Sequence, residues 1–418
     1  MSKKIKKVSI DSRTIEDGDI FIALKGKNYD GNDYIDEAIE KGASLIVTEK
    51  EISAGIPTIK VEDTYKYLLE IGRDYRKKFK GDVIAITGSA GKTTTKELIG
   101  LILSKKYKVL KSEGNQNNHI GMPLTLTKLN NSYDICVLEL GMNHLGEISN
   151  LSKICNPNVG IITNIGTAHI GNLGSKKNIF KAKMEILDGL KDTLIVNGND
   201  KYLKKIKSKE FKTIKTDYEV TKITNDLTKT EFCIKKDNKE YKFTLNMMGP
   251  HLIQNCLIAI KVGERYGISF EDMIDAIKEY KTLEKRLDVK VYNDNTLIDD
   301  CYNSNYESVK ELINYIKSIK QYKLVILADI LELGNYSKKI HKKIGKLLKK
   351  CKLQNTILIG ENMYYAHKKY KKSLYFKNND ECIEYLKNLE INNSIVLVKG
   401  SRGMHLEIIF SYLEDKLK

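Results

Sequence analysis

One ten-residue segment constrains the fold of this chain more than any other. Residues 86–95 read Ile-Thr-Gly-Ser-Ala-Gly-Lys-Thr-Thr-Thr, so an apolar run leads into a glycine-rich turn and then into a helical pattern. Glycines allow successive backbone N–H groups to point at one anion, and the N-terminus of a helix adds favourable partial charge. The segment therefore predicts a strand, a phosphate-binding loop and a helix, an order typical of parallel α/β folds.

The loop predicts a nucleotide site. Lys92 can reach the β- and γ-phosphates of a nucleotide, and the Thr93 hydroxyl can hold Mg²⁺. Ile86 stands where a strict Walker A sequence has glycine, so the loop is a variant, and the alternative is a glycine-rich turn that binds nothing. The strand before it, the helix after it and the Lys-Thr pair favour the nucleotide site. Its predicted residues are Gly88, Ser89, Ala90, Gly91, Lys92, Thr93 and Thr94.

Hydrophobic periodicity predicts an α/β protein of three domains, since 418 residues are too many for one ordinary core. We expect a small N-terminal α/β domain at residues 1–80 and a central domain with a parallel sheet and the phosphate loop at residues 81–283. In residues 284–418 the β and α patterns alternate again, which predicts a Rossmann-like C-terminal α/β domain.

The elements expected in these domains are as follows. Strands are predicted at residues 19–24, 44–48, 58–61, 83–87, 108–112, 135–140, 160–164, 194–197, 296–300, 324–329, 357–360 and 395–399. Helices are predicted at residues 34–41, 251–266 and 270–280. A β-hairpin is predicted from residues 230–235 and 241–245, which flank Asp237 and Asn238.

Polar residues close the predicted strands of the central domain, where open α/β sheets bind their ligands. Glu139 ends one strand, and a buried glutamate is costly unless it is paired or binds a metal. The alternative for Glu139 is an ion pair with a nearby lysine. His169 follows another strand and belongs to the same edge as Thr93, which favours metal ligation over a surface or capping role.

Composition narrows the function classes. No apolar run approaches the roughly 20 residues that span a bilayer, and no signal-peptide core follows the N-terminus. The 7 cysteines include no Cys-x-x-Cys pair, as expected in a reducing compartment. The net charge is +17, but the lysines are spread along the sequence, which disfavours a nucleic-acid partner. A cytoplasmic protein without a membrane partner is expected.

Several motifs resemble those of the Mur ligases and the related folylpolyglutamate synthases. The core pattern is TGSAGKTTTK, ELGMNHLGEI, ITNIGTAHI and KAKME, within residues 87–185. Five further segments are similar to the branch that adds D-alanyl-D-alanine: DSRTIEDGDIFIALKGKNYDG, NQNNHIGMPLTL, DDCYNSNYES, LADILELG and VKGSRGMHLE. The resemblance covers essentially the whole chain in order. Ala90, Ala328 and the pair Asn305-Tyr306 depart from the usual family residues.

The resemblance implies roles for individual residues. Lys183 falls where the family carries a carbamylated lysine that binds a second Mg²⁺ together with His169, whereas composition alone predicts a solvated helix lysine. The implied catalytic residues are Lys92, Lys183, His169 and Arg286, and the implied metal ligands are Thr93, Glu139, His169 and Lys183. The implied nucleotide contacts beyond the loop are His251 and Asn255 at adenine, Asp300 at ribose and Arg286 at the γ-phosphate. The implied substrate contacts are Asp11, Ser12 and Arg13 at the UDP end and Tyr302, Asn303 and Asn305 at the dipeptide.

The activity implied by the resemblance is an ATP- and Mg²⁺-dependent amide ligation. It would join D-alanyl-D-alanine to UDP-N-acetylmuramoyl-tripeptide through an acyl phosphate, and a monomer is expected. The alternatives are a sister ligase that adds diaminopimelate, lysine or glutamate, a folate polyglutamylase, or a nucleotide-binding relative without catalysis. A P-loop GTPase would need an Asn-Lys-x-Asp segment for guanine, which the sequence lacks.

Overall fold

Four β-sheets organise the computed structural model, which describes residues 7–26, 29–53, 55–207, 210–281 and 285–418. The strands are β1 Val8–Ser9, β2 Ile20–Ile22, β3 Leu45–Thr48, β4 Thr58–Lys60, β5 Asp82–Thr87, β6 Val109–Lys111, β7 Ile135–Glu139, β8 Val159–Ile162, β9 Thr193–Asn197, β10 Lys212–Thr216, β11 Glu219–Asn225, β12 Thr230–Lys236, β13 Lys239–Leu245, β14 Asp288–Tyr292, β15 Asn295–Asp300, β16 Tyr322–Ala328, β17 Thr356–Ile359, β18 Leu374–Phe376 and β19 Ser394–Lys399. All twelve strands predicted from the sequence are confirmed.

Helices cover the sheets. They are α1 Ile35–Glu40, α2 Thr64–Lys78, α3 Lys92–Leu103, α4 Gly121–Thr127, α5 Glu147–Cys155, α6 Ile170–Leu173, α7 Lys176–Met184, α8 Ile253–Arg265, α9 Phe270–Lys278, α10 Tyr306–Ser318, α11 Ser337–Cys351, α12 Met363–His367, α13 Asn379–Lys387 and α14 Glu407–Leu417. Short 3-10 helices occupy Ser12–Thr14, Gly31–Tyr34, Glu185–Gly189, Leu203–Lys205, Pro250–Leu252, Gly334–Tyr336 and Arg402–Met404. The three predicted helices are confirmed.

The N-terminal sheet is parallel and follows the order β1-β2-β3-β4. Helix α2 was not predicted, although Asp63 caps it by accepting a hydrogen bond from the Lys66 N–H at 2.9 Å. From α2 the buried Arg76 donates hydrogen bonds to the carbonyl oxygens of Cys155 (2.7 Å) and Asn156 (3.0 Å). These bonds fix the N-terminal sheet onto the central one.

The central sheet is parallel, with the order β10-β9-β8-β5-β7-β6. Strand β5 lies between β8 and β7, and its residues Val83, Ile84, Ala85 and Ile86 are fully buried. A strand buried on both faces reads as a continuous apolar run, which is why the sequence identified it. The glycine-rich loop after β5 therefore sits at the middle of the carboxyl edge of this sheet.

A three-stranded antiparallel sheet, β11-β12-β13, follows the central sheet along the chain. The predicted hairpin β12–β13 is confirmed. Asp237 and Asn238 have φ values of 48° and 61°, as a two-residue type I′ turn requires. Strand β11 was not predicted.

The last sheet belongs to the C-terminal, third domain, and we call it the third sheet. It has the order β14-β15-β19-β16-β17-β18 and is parallel except for β14. Asn305 caps α10 by accepting a hydrogen bond from the Ser308 N–H at 2.9 Å, and the Ser308 hydroxyl accepts one from the Asn305 N–H at 3.3 Å. The cap places Tyr302 to Asn305 at the carboxyl edge of β15, beside α10. Edge strands β14 and β18 were not predicted.

The α/β fold class is confirmed. The ranges 1–80, 81–283 and 284–418 stay a prediction, and the boundary at residues 283 and 284 lies outside the described residues. All seven cysteines are buried and free, as expected. Over the described ranges, no helix is both long enough and apolar enough to cross a bilayer.

Candidate active site

A cavity of about 1260 Å³ lies between the carboxyl edges of the central and third sheets. Fifteen of the residues predicted for the site line it: Ser89, Ala90, Gly91, Lys92, Thr93, Thr94, Glu139, His169, His251, Asn255, Arg286, Asp300, Tyr302, Asn303 and Asn305. Gly88, Lys183, Asp11, Ser12 and Arg13 are not among its lining residues. Chain segments more than two hundred residues apart in sequence thus meet around one space.

Two glycines give the loop a shape that other residues would not allow. A Cβ on Gly88 would lie 1.8 Å from Thr163 Oγ1, and a Cβ on Gly91, where φ is +78°, would lie 2.5 Å from Asn255 Oδ1. The backbone therefore passes directly against these side chains. Helix α3 begins at Lys92, immediately after Gly91, so its N-terminal N–H groups border the cavity.

Asn164 holds the middle of the loop. Its side-chain oxygen accepts a hydrogen bond from the Ala90 N–H at 3.0 Å, and its amide group donates one to the Ala90 carbonyl at 3.2 Å. Its backbone carbonyl accepts a hydrogen bond from the Ser89 N–H at 3.1 Å. The loop is thus fixed by Asn164, which lies two residues after β8. The sequence predicts this position only as the end of the strand at residues 160–164.

The side chain of Lys92 folds back onto the phosphate-binding loop. Its Nζ donates a hydrogen bond to the Gly88 carbonyl at 3.1 Å. Burial lowers the pKa of Lys92, the charge of Glu139 raises it, and the charge of Arg286 lowers it. Arg286 belongs to the third domain, so its charge reaches the loop across the cavity. An anion between Lys92 and Arg286 would relieve their mutual repulsion.

Thr93 and Glu139 form a pair of oxygen donors. The Thr93 hydroxyl donates a hydrogen bond to Glu139 Oε2 at 2.8 Å, and the Asn117 amide donates one to Oε1 at 2.9 Å. Glu139 is buried, and no lysine or arginine of the described residues lies within ion-pair distance of it. The proposed alternative, an ion pair with a lysine, is therefore wrong for this structure. Hydroxyl and carboxylate oxygens are the donors that Mg²⁺ prefers, so the residues fit that ion.

His169 is held at the domain junction. Its backbone is left-handed, with φ of 60°, and its Nδ1 lies 2.8 Å from Glu332 Oε2 of the third domain. The close contact with His169 lowers the pKa of Glu332. Because Nδ1 faces Glu332, Nε2 is the nitrogen left for a metal. Ligation by His169 stays a prediction.

Lys183 is not the solvated helix residue that its composition suggests. Its exposed fraction is 1%, and burial, followed by the charge of Lys92, lowers its pKa well below the ordinary value. No carboxylate of the described residues lies within ion-pair distance of its Nζ. A lowered pKa favours the uncharged amine, which is the form that reacts with CO₂.

Arg286 and Tyr302 stack on the third-domain side of the cavity. The guanidinium carbon of Arg286 lies 3.9 Å from the centre of the Tyr302 ring, and that of Arg402 lies 5.8 Å from the same centre. A cation over an aromatic face is attracted by the ring electrons. The stack holds Arg286 at the cavity, and among the described residues no carboxylate lies within ion-pair distance of its guanidinium group.

Asp300 is paired with a lysine that the sequence analysis did not select. Lys399 Nζ lies 2.6 Å from Asp300 Oδ2 and donates a hydrogen bond to the Asn303 carbonyl at 3.1 Å. Near this pair, burial lowers the pKa of His251 to about 4, with Asp300 raising it and Lys399 lowering it. The sequence did contain a signal for Lys399: it is a lysine at the end of a buried apolar strand, where polar residues of a site are expected.

Two glutamates of α10 were also missed. Glu307 reaches across the cavity, where its Oε2 accepts hydrogen bonds from the Thr167 N–H (2.9 Å) and hydroxyl (2.5 Å) and its Oε1 lies 2.9 Å from Lys176 Nζ. Glu311 lines the cavity one turn later, and desolvation within the cleft and the charge of Glu307 raise its pKa to about 7. Only the docking of α10 against the central domain gives these residues a place in the site.

The N-terminal candidates form a separate cluster outside this cavity. Asp11 accepts hydrogen bonds from Arg13 Nε at 2.9 Å and Nη2 at 2.8 Å, and the Ser12 hydroxyl donates one to Glu37 at 2.7 Å. The Arg13 hydrogen bond lowers the pKa of Asp11. Their predicted role at the UDP end of a substrate stays a prediction.

Three family models match successive parts of the chain. Residues 4–76 match the catalytic domain of the Mur ligase family, residues 86–263 the Mur ligase middle domain, and residues 285–402 the Mur ligase glutamate ligase domain. The first match covers the N-terminal sheet, the second the central and three-stranded sheets, and the third the sheet of strands β14 to β19.

Curated relatives match over nearly the full length. The chain is 33% identical to the UDP-N-acetylmuramoyl-tripeptide–D-alanyl-D-alanine ligase of Bacillus subtilis, across 98% of this chain and 93% of that protein. It is 29% identical to the Escherichia coli ligase of the same name, across 98% and 93%. Among solved structures, MurF from Acinetobacter baumannii aligns with a TM-score of 0.92 at 31% identity, across 100% and 94% of the two chains. MurF from Thermotoga maritima in complex with ADP aligns with a TM-score of 0.88 at 26% identity, across 99% and 98%.

Proposed function

The chain belongs to the Mur ligase family, and from that premise we propose that it joins D-alanyl-D-alanine to UDP-N-acetylmuramoyl-tripeptide at the expense of ATP. The relatives that carry this activity in their names are similar to nearly the whole chain, including both sides of the cavity. The observation that carries the proposal is the meeting of Lys92, Thr93 and Glu139 with Arg286 and Asp300 around one space. The reaction belongs to the synthesis of peptidoglycan precursors.

We propose that ATP binds across the cavity. Its phosphates would lie on the loop from Gly88 to Thr94, where backbone N–H groups and Lys92 balance their charge. Asn255, packed against Gly91, and the neighbouring His251 would border the adenine, and Asp300 would accept a hydrogen bond from the ribose. Arg286 would approach the γ-phosphate from the third domain.

Thr93 and Glu139 would hold one Mg²⁺, and His169 and a carbamate on Lys183 would hold a second. Bound there, Mg²⁺ would neutralise phosphate charge that the protein alone leaves partly uncompensated. The burial and the lowered pKa of Lys183 support the carbamate, because a lysine cation beside Mg²⁺ would repel it.

The proposed chemistry has two steps. A carboxylate oxygen of the tripeptide attacks the γ-phosphorus, the bond from that phosphorus to the β–γ bridging oxygen breaks, and ADP leaves. The amine nitrogen of D-alanyl-D-alanine then attacks the acyl carbon, phosphate leaves with the electron pair of the C–O bond, and the nitrogen loses its extra proton. The protein contributes orientation and charge stabilisation, with Tyr302, Asn303 and Asn305 beside the incoming dipeptide.

We propose a cytoplasmic monomer in which residues 1–80 hold the UDP end, with Asp11, Ser12 and Arg13 as contacts. Residues 81–283 would bind ATP, and residues 284–418 would complete the site on closure. The N-terminal and central units are already joined through Arg76, which supports an enzyme whose moving part is the third domain.

The test measures ADP release from ATP and UDP-N-acetylmuramoyl-tripeptide with a panel of amines. We expect turnover with D-alanyl-D-alanine and almost none with single amino acids, because pocket groups that pair with the second residue are left unsatisfied without it. Lys92→Ala should reduce the rate by at least about a hundredfold while leaving the circular dichroism spectrum unchanged. Faster turnover with diaminopimelate or lysine would assign the chain to a sister ligase, and no turnover with any amine would indicate a non-catalytic relative.

A further inference from the structure

Helix α11 carries an unusual concentration of charge. Its 15 residues include seven lysines, at positions 338, 339, 342, 343, 346, 349 and 350, and no acidic residue. The segment 337–372 contains twelve lysines and one acidic residue, so it holds eleven of the seventeen net positive charges of the chain. The expectation that the lysines are spread evenly along the sequence is therefore wrong for this segment.

The lysines of α11 occupy one face. At about 100° per residue they fall within an arc of about 140°. The opposite face is buried in the domain and consists of Ile340, His341, Ile344, Gly345, Leu348 and Cys351. Six of the seven lysines are exposed, the exception being the half-buried Lys342, and none lies within ion-pair distance of a carboxylate in the described part of the chain. The result is a cationic ridge about 18 Å long.

Two tyrosines extend this ridge onto the next helix. Lys338 Nζ lies 5.4 Å from the centre of the Tyr365 ring, and Lys368 Nζ lies 4.3 Å from that of Tyr364. The two rings are 6.2 Å apart. We call the seven lysines of α11, Tyr364, Tyr365 and Lys368 the lysine face. The lysines of α11 line neither the active-site cavity nor a smaller cavity at the base of the third sheet.

In place of the expectation of no membrane partner, we propose that the lysine face is a peripheral docking surface for an anionic lipid bilayer. Exposed lysines that face no carboxylate attract an extended negative surface, and each one near such a surface contributes about a fivefold gain in affinity. The apolar face of α11 is already used in the core, so docking is electrostatic and inserts no helix. Tyrosines at the margin, with Tyr364 38% exposed, suit the boundary between headgroups and water.

The composition of the surface favours lipid over nucleic acid. Segment 337–372 has no arginine, the residue that binds phosphates in a forked geometry and stacks on bases. Lysines already lie over the rings of Tyr364 and Tyr365, which leaves less ring surface for base stacking. A diffuse field of lysine point charges matches the headgroups of a bilayer, which present no fixed pattern.

The test is sedimentation of the full chain with lipid vesicles. Vesicles of phosphatidylcholine alone are compared with vesicles of phosphatidylcholine and phosphatidylglycerol in equal parts, at low and high salt. The face variant carries Lys339→Gln, Lys343→Gln, Lys346→Gln and Lys350→Gln. The control variant loses the same charge from exposed lysines elsewhere, as Lys78→Gln, Lys106→Gln, Lys205→Gln and Lys239→Gln.

We expect binding to the anionic vesicles only, released by high salt. The face variant should bind at least about tenfold more weakly, and the control variant should stay within about twofold of the native chain. Ligase activity without lipid should be the same for all three proteins, which shows that they are folded. Equal binding by the face variant and the native chain, an equal loss in the control variant, or binding to neutral vesicles would overturn the proposal. Binding to polyuridylate RNA that depends on the face, with no vesicle binding, would assign the surface to nucleic acid instead.

Discussion

The buried pair of Asp300 and Lys399 permits a quantitative prediction for Lys399→Met. Methionine keeps the length of the side chain but removes a cation whose exposed fraction is 1%, beside a carboxylate whose exposed fraction is 15%. Removing one partner of a buried ion pair costs about 3–5 kcal/mol, and leaving the Asn303 carbonyl without its donor adds about 1 kcal/mol. Because Asp300 is partly exposed, we expect about 3 kcal/mol in total, at the lower end.

Hydrogen exchange on peptides from β15 and β19 measures this loss as the free energy of opening of the third sheet. This local readout does not require the three-domain chain to unfold in one step. In Asp300→Asn/Lys399→Met no charge is left uncompensated, so the double variant should recover at least about 1.5 kcal/mol relative to Lys399→Met. A loss below about 1 kcal/mol in Lys399→Met, or additive losses in the double variant, would refute the reasoning.

Four further predictions concern single side chains. Gly88→Ala should lower kcat at least about a hundredfold, because its Cβ would collide with Thr163 and displace the loop donors. Lys183→Arg should be inactive since it cannot form a carbamate, and removal of CO₂ should slow the native enzyme until bicarbonate is added. Arg286→Ala should lower kcat more than the affinity for ATP, which equilibrium binding and steady-state rates separate. His251→Gln should reduce the loss of unfolding free energy that accompanies acidification. The pKa of native His251 is about 4 against an ordinary 6.5, so the unfolded chain binds the proton first and native stability is lost as pH falls from 6.5 towards 4.

Matched controls separate these effects from general damage. Gly18→Ala places a side chain at φ of +88° in open space and so tests backbone strain without a collision. Lys181→Arg changes an exposed lysine in the same helix as Lys183, and His144→Gln removes an exposed histidine. An inactive Lys181→Arg, or a Gly88→Ala enzyme with native kcat, would contradict the corresponding explanation. Equal losses of kcat and ATP affinity in Arg286→Ala would place that residue in the resting nucleotide site.

Local signals in the sequence predicted the strands and the phosphate loop, because both depend on residues within a few positions of each other. Strand β18 has only three residues, too few to show a period of two, and its single partner is β17. Helix α2 was missed although the Asp63 cap was present, since charged residues interrupt its apolar pattern. Prediction of the fold from the sequence failed mainly where pairing with a distant strand decides the structure.

The site was predictable on the side of the central domain and less so across the cavity. Gly88 to Thr94 act through their own backbone, so the motif identified them. Glu307 and Lys399 have roles only because α10 and β19 meet residues far away in sequence, such as Thr167 and Asp300. The burial of Lys183 likewise comes from packing, and no local pattern distinguishes it from its exposed neighbour Lys181.

The distribution of the cysteines allows local opening of the chain to be followed by thiol labelling. All seven thiols are buried, and burial raises the pKa of Cys256 to about 12, so a thiol reagent must wait for the protein to open. Four lie between residues 136 and 256, three between residues 301 and 382, and none precedes residue 136. Mass spectrometry of the labelled peptides would therefore measure the rate of opening of the nucleotide-binding domain and of the third domain separately, in one sample and with no label introduced by mutation.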